Sequence, residues 1–525
     1  MNFLKRCWQK RWLRRLTWTA LTLVTLCALF CAWVNWSGAR QWRATQAMLK
    51  AEGETLDFRA TMNEPIPESE NFCAIPLLKD LALVVDNDAK KGEPAEKRKR
   101  LDALKLPLNG KGSARPKLAN PALGKRTNFK AWADWLRKEG SLPMPADSGD
   151  AARDVLAALA KHDAIVQELT AGLARPRAQW TPEWKTRELP PLLLSVALPH
   201  YTLVQGLHRT LALRATAALR IGDAAKAHET ALIIARLDEA CLNDPFVIGL
   251  LVGVSGTSML HGVTWELCAS HAGTAEDFAK LESALVNLDF HRATLHAWRG
   301  EAAVNVGTVQ GIKIRRDDIF GLILQMSGSN GDPNSTTGEL LMRALPGGLF
   351  DASSAVLADL QFRYLIKPLK QPGWQQALAS GEDLERETSR MKCEMWTHPS
   401  YIMSSLIAPG LGNVINNVIY AQTLVNQAVI ACALERHHIE NGSYPDSLNA
   451  VKLADGKALP PDLMDGKPMR YRKTPDGKYA LWSIGFDGKD DGGKRTLDEK
   501  KPEDTRFYNA TYVGDWVWDF PESVK

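Results

Sequence analysis

Three carboxylates crowd into five residues of the stretch YALWSIGFDGKDDGG: Asp487, Asp490 and Asp491. Such a cluster repels itself unless water or a cation screens it. Calcium, which takes about 6–8 oxygen ligands including backbone carbonyls, is the cation whose chemistry fits. An EF-hand does not fit: Asp487, Asp491 and Gly492 could fill its positions one, five and six, but Lys489 falls at position three and a strand-like run comes before. The competing reading is a solvated turn, because Asp-Gly-Lys occurs four times, beginning at Asp455, Asp465, Asp476 and Asp487. Both readings remain open at this level.

The other chemistry-bearing residues form no catalytic constellation. HETALIIARLDE lacks the second histidine of a zinc-protease helix. Gly253-Val254-Ser255-Gly256 has Thr257 where a nucleophile elbow needs glycine, and reads as a helix-packing glycine pair. His437 and His438 are adjacent, so on a helix they point about 100° apart, and they read as cations at a helix C-terminus. His291 and His296 have a poor spacing for one metal. The Gly-rich stretch from Leu324 to Glu339 lacks the GKS or GKT of a phosphate-binding loop. Outside the N-terminal region the cysteines are Cys73, Cys241, Cys268, Cys393 and Cys432, an odd number with no CxxC, which indicates neither a zinc knuckle nor a disulfide-built fold and leaves room for one or two disulfides.

The elements that would carry these residues begin with Leu16 to Val34, a charge-free run long enough to cross about 30 Å of hydrocarbon. Trp8, Trp12 and Trp18 lie near one end, and Trp33, Trp36 and Trp42 near the other, as interfacial anchors would. Lys5, Arg6, Lys10, Arg11, Arg14 and Arg15 precede the run, and no acid comes before Glu52. The positive side should stay in the cytoplasm, placing the bulk of the chain outside. The alternative is a signal peptide cleaved after the small residues Ser37-Gly38-Ala39. Removing those six cations from 65 leaves 59 Lys and Arg against 60 Asp and Glu, so the body is near neutral, which argues against a general nucleic-acid binder.

Residues Asp86 to Thr127 are rich in Lys, Pro, Gly and Asn and read as a flexible spacer. Helical periodicity follows. Asp150 is a candidate N-cap, and Ile221-Gly222-Asp223 joins two helices into a hairpin similar to one tetratricopeptide-type unit. Val414 to Glu440 has an apolar stripe but is too polar for a second membrane span, and Asn441-Gly442 should stop the helix. The Asp-Gly turns beyond it, with alternating Met469-Arg470-Tyr471-Arg472 and Tyr479-Ala480-Leu481-Trp482, predict a small antiparallel sheet.

This last region resembles the soluble half of the major, G-type pseudopilins of type II secretion systems. Asn441, Gly442, Tyr444 and Pro445 match that family's corner, Asp465-Gly466, Pro468 and Tyr471 its middle, and Ser483, Gly485, Asp487 and Gly488 the entrance to its calcium loop. The resemblance implies calcium held by Asp487 and by Asp515 of YVGDWVW together with loop carbonyls, across the insertion KRTLDEKKPEDTRFYNA. The start, MNFLKRCWQKRWLRRL, departs from the family in lacking a Gly-Phe peptidase site and a glutamate heading the membrane helix. The whole chain is similar to large membrane-anchored envelope proteins of planctomycete- and verrucomicrobium-type bacteria.

The fold class expected is mainly α: a single N-terminal transmembrane helix, an α-helical central domain, and a small C-terminal α+β domain with an antiparallel sheet. The segments are a cytoplasmic basic stretch (1–15), the membrane helix (16–36), an extracytoplasmic segment with the linker (37–127), the helical domain (128–410) and the pseudopilin-like domain (411–525). The function expected is that of a structural or interaction protein at the bacterial inner membrane, with unidentified protein partners, no nucleic acid, and calcium at Asp487, Asp490, Asp491 and Asp515. The alternatives are an extracytoplasmic hydrolase, which needs a deep pocket with converging acids or histidines, and a solute-binding sensor, which needs an aromatic-lined pocket.

Overall fold

The computed structural model describes residues 11–82, 115–140, 142–180, 198, 200–314, 344–407, 412–494 and 514–520. The chain is mainly helical with a small three-stranded antiparallel sheet near the C-terminus. The Gly-rich stretch 324–339 and most of the insertion before Asp515 lie outside the described residues.

Helix α1 (Arg11–Ala51) is 41 residues, about 60 Å at 1.5 Å per residue. Apolar residues on all faces of its first half, such as Leu16, Leu23, Phe30 and Trp33, are more than half exposed. Burial begins at Val34 and is firm at Leu49, so the helix continues past residue 36 into the body without a break. It crosses α10 (Gly347–Gln361) through two glycines. A Cβ at Gly38 would lie 2.0 Å from the Gly348 carbonyl oxygen, and one at Gly348 would lie 2.2 Å from that of Val34. The close approach lets the Gly348 amide donate to Asn35 Oδ1 at 2.7 Å. Just past the helix, buried Glu54 accepts Arg299 Nε and Nη2, both at 2.7 Å, with Lys370 Nζ at 3.3 Å.

The body comprises α2 (Phe129–Glu139), α3 (Ala151–Leu159), α4 (Asp163–Gly172), α5 (His200–Arg220), α6 (Ala224–Leu242), α7 (Val247–Ala269), α8 (Ala275–Val286), α9 (Phe290–Ile314), α10 and α11 (Gln375–Glu394). Local sequence sets several starts: Asp150 Oδ1 accepts the Ala152 and Arg153 amides, and Asp223 caps α6 after Gly222 turns the chain at φ 89°. The end of the expected spacer is not loose. Residues 115–127 fold onto the body, where Thr127 donates its amide (3.0 Å) and hydroxyl (2.8 Å) to buried Glu266 of α7.

The glycine stripe of α7 is helix packing, as its spacing suggested. Gly253 faces Leu242 of α6, and a Cβ at Gly256 would meet Asp238 Oδ1 at 1.9 Å. That carboxyl lies 3.2 Å from His208 Nε2 and accepts the Thr257 hydroxyl at 3.1 Å, with both members of the pair fully buried. Burial pushes Asp238 well up and His208 down to about 3, disfavouring the charged form of each.

Among the described residues, three helices are long and apolar enough to cross a membrane, α1, α7 and α12 (Gly412–Asn441), so α12 is less polar over its length than its amides suggested. The apolar window of α1 is 6% buried, whereas those of α7 and α12 are 72% and 89% buried inside the protein. Helix α12 packs chiefly against α8 and α7, then α11, and only lightly against the sheet. The boundary expected at 410/411 is therefore no break in packing: one hydrophobic core runs from Leu49 through α12 to Phe520.

The sheet order is β1 (Arg470–Lys473), β2 (Tyr479–Ser483), β3 (Trp516–Trp518). Arg470 pairs with Trp482 and Lys473 with Tyr479 around an Asp476-Gly477 hairpin, while Leu481 pairs with Trp518. With period two, Tyr479 and Leu481 enter the main core, and Ala480 and Trp482 form a second cluster with Val517. Fully buried Asp462 ties the tail together by accepting Arg470 Nη1 (2.9 Å), the Ser483 hydroxyl (2.7 Å) and the Met464 and Ile484 amides (both 3.1 Å).

Candidate functional site

The four aspartates expected to hold calcium occupy different environments. Asp487 is exposed, and its Oδ1 accepts the Lys489 amide at 3.1 Å, the same local turn that Asp455 makes with Lys457 and Asp465 with Lys467. Asp491 is exposed. Asp490 accepts Trp482 Nε1 at 2.9 Å and the Gly492 amide at 3.0 Å, and these hydrogen bonds hold its carboxyl below the usual range. Asp515 is the exception. It is buried at the mouth of β3, its Oδ2 accepts the Gly493 amide at 2.7 Å, and its Oδ1 has no hydrogen-bond partner among the described residues. Burial raises its carboxyl, the Gly493 and Asp491 amides pull it back, and neighbouring Asp490 and Asp491 raise it further. Asp490 and Asp491 thus lie beside Asp515 at the start of β3, while Asp487 behaves as a turn residue.

A second group is assembled by the tertiary structure from the end of α7 and the last turns of α12. His271, Glu435 and His438 place one ligand-type atom each within 4.8 Å of one another. Helix α7 ends in a Schellman arrangement, with the His271 amide donating to Cys268 O (3.0 Å) and the Ala272 amide to Leu267 O (3.1 Å). His271 takes the left-handed position normally given to glycine, at φ 48°, the one non-glycine with positive φ among the described residues. His228 of α6 clamps the loop by donating Nε2–H to Ala272 O at 2.8 Å, in space that a side chain at Gly273 would close. A capping box between Thr274 and Asp277 then starts α8.

Glu435 and His438 are three residues apart and so share a face of α12. Glu435 is fully buried. His271 Nδ1 lies 3.1 Å from its Oε2, and the Tyr444 hydroxyl donates to its Oε1. The His271 and His438 rings stack at 4.9 Å and 22°, and Tyr444 tilts against His438 at 4.6 Å. The hydrogen bond that His271 donates to Glu435 raises the imidazole above its usual value despite partial desolvation, and burial followed by the Glu435 charge pushes Tyr444 well up. One turn below, the Cys268 and Cys432 side chains meet, and burial holds the Cys268 thiol well above its ordinary range. No protein family, curated protein or solved structure matches the chain.

Sequence reasoning missed this group. It compared His438 with its neighbour His437, whereas the partners are Glu435 one turn earlier and His271, which is 164 residues from Glu435. The local signal was Glu435-x-x-His438 near a helix end, beside the Tyr444 corner. A surface pocket along α11 lined by Glu382, Glu385, Arg386 and Ser389 gathers charges of one helix and no aromatic wall, which suits neither a buried catalytic centre nor a solute cage.

Proposed function

We propose that this chain is a single-pass bacterial inner-membrane protein, with its N-terminus cytoplasmic and its bulk periplasmic, that serves as a structural or interaction protein in secretion or envelope assembly. The observation carrying this reading is the continuity of α1. Its apolar turns are bare on every side and its last turns are locked into the body by Gly38, Gly348 and the Glu54–Arg299 pair. A helix of that design holds a folded body at a fixed stance to a bilayer, which suits presentation of a surface to protein partners. The order of long helix, Tyr444 corner and small sheet supports the likeness of the last hundred or so residues to a pseudopilin domain. Reporter fusions after Trp42 and at Lys525 are expected to read periplasmic, and recovery of a mature chain starting at Arg40 would replace the anchor with a cleaved signal.

Calcium at the Asp490–Asp491–Asp515 loop is a second reading, favoured by the buried Asp515 oxygen that lacks a partner. A cation there would offset the repulsion that raises Asp515. Calcium added to chelator-stripped protein is expected to raise Tm by mass action, about 2.7 kcal/mol at a hundredfold excess over Kd. Asp515→Asn should remove most of that shift. No shift at millimolar calcium would leave the loop a solvated turn.

A further inference from the structure

We propose that His271, Glu435 and His438 form a binding site for a divalent transition-metal ion of the zinc class. The site is distinct from the aspartate loop and does not depend on the membrane reading. Two imidazoles and one carboxylate suit zinc-class ions, whereas calcium and magnesium select all-oxygen sites. Zinc bonds of about 2.0–2.2 Å require ligand atoms roughly 3.3 Å apart in a tetrahedron. Here the His271 and Glu435 atoms are already 3.1 Å apart and all three ligand atoms fall within 4.8 Å of one another, so the longest gap has about 1.5 Å to close.

A purely structural network of Tyr444, Glu435 and His271 would satisfy the buried carboxylate without a metal, and two features go beyond it. The His438 imidazole makes no hydrogen bond among the described residues, yet it stacks on His271 beside the carboxylate. His271 itself stands in a left-handed position that favours glycine, so the chain accepts backbone strain to put an imidazole there. Tyr444, holding the second oxygen of Glu435, is the outer partner that orients a ligating carboxylate. Lys478 is a nearby cation that works against a second positive charge at the site. Three protein ligands with an exposed His271 leave a coordination position open to water. No reaction is assigned to it.

The test uses full-length protein in detergent, stripped with chelator and titrated with cobalt(II) as a spectroscopic probe. The expected result is one equivalent bound, with visible absorption typical of four-coordinate nitrogen and oxygen ligation, displaced by zinc. His271→Ala and His438→Ala should each weaken zinc binding by at least about tenfold, Tyr444→Phe by about tenfold through the carboxylate, and His437→Ala should leave binding unchanged. His438 is partly exposed near the helix end, so its variant reports on binding even if changes at His271 disturb folding. Absence of stoichiometric cobalt absorption, or wild-type zinc affinity in both histidine variants, overturns the site.

Discussion

Glu282→Ala is expected to destabilise the protein by about 3–5 kcal/mol, the range for removing one partner of a buried ion pair. Glu282 sits in α8 with its side chain 2% exposed. Its Oε2 accepts Arg436 Nε at 3.1 Å and Nη2 at 2.9 Å, and its Oε1 accepts the Ala454 amide at 2.5 Å. Arg436 Nη2 also donates to Lys452 O at 2.8 Å. One carboxylate therefore joins a body helix, α12 and the loop leading to the sheet. Its loss leaves a guanidinium that is 15% exposed and a backbone amide without their acceptor. Urea unfolding should show the fall in stability. Hydrogen exchange should show protection lost first around Lys452 and Ala454, and Glu282→Gln, which keeps an acceptor, should cost less. A midpoint within about 0.5 kcal/mol of the parent would mean that α12 is held by apolar packing alone.

The second large effect is at the crossing of α1 and α10. In Gly348→Leu the new Cβ would lie 2.2 Å from Val34 O and 2.5 Å from Asn35 Cα, and both obstacles are backbone. No rotamer change relieves that contact, so α1 must lift away and the Gly348–Asn35 hydrogen bond must break. The expected cost is about 3 kcal/mol or more, at the upper end of overpacking penalties. On the proposed anchoring, the bare apolar turns before Val34 keep the variant in the membrane fraction while the joint near Gly38 becomes open to limited proteolysis. An unchanged cleavage pattern would show that the stance of the body does not depend on this crossing.

What could be read from the sequence was what depends on residues near one another in the chain. The bare apolar run ahead of Val34, the Asp150 cap, the Gly222 turn and the Asp476-Gly477 hairpin each follow from hydropathy, capping or left-handed backbone within a few residues. The antiparallel sheet followed from period-two alternation. The tertiary structure decided everything that needs two distant segments at a fixed angle. Helix α12 carries apolar residues on more faces than one stripe, and only its burial between α7, α8 and α11 accounts for them and ties the tail to the body. Gly38 and Gly348 are unremarkable glycines until two backbones cross at them. His271 and Glu435 meet because a Schellman turn aims one and the last turns of α12 aim the other, and no local period records how those two helix ends dock.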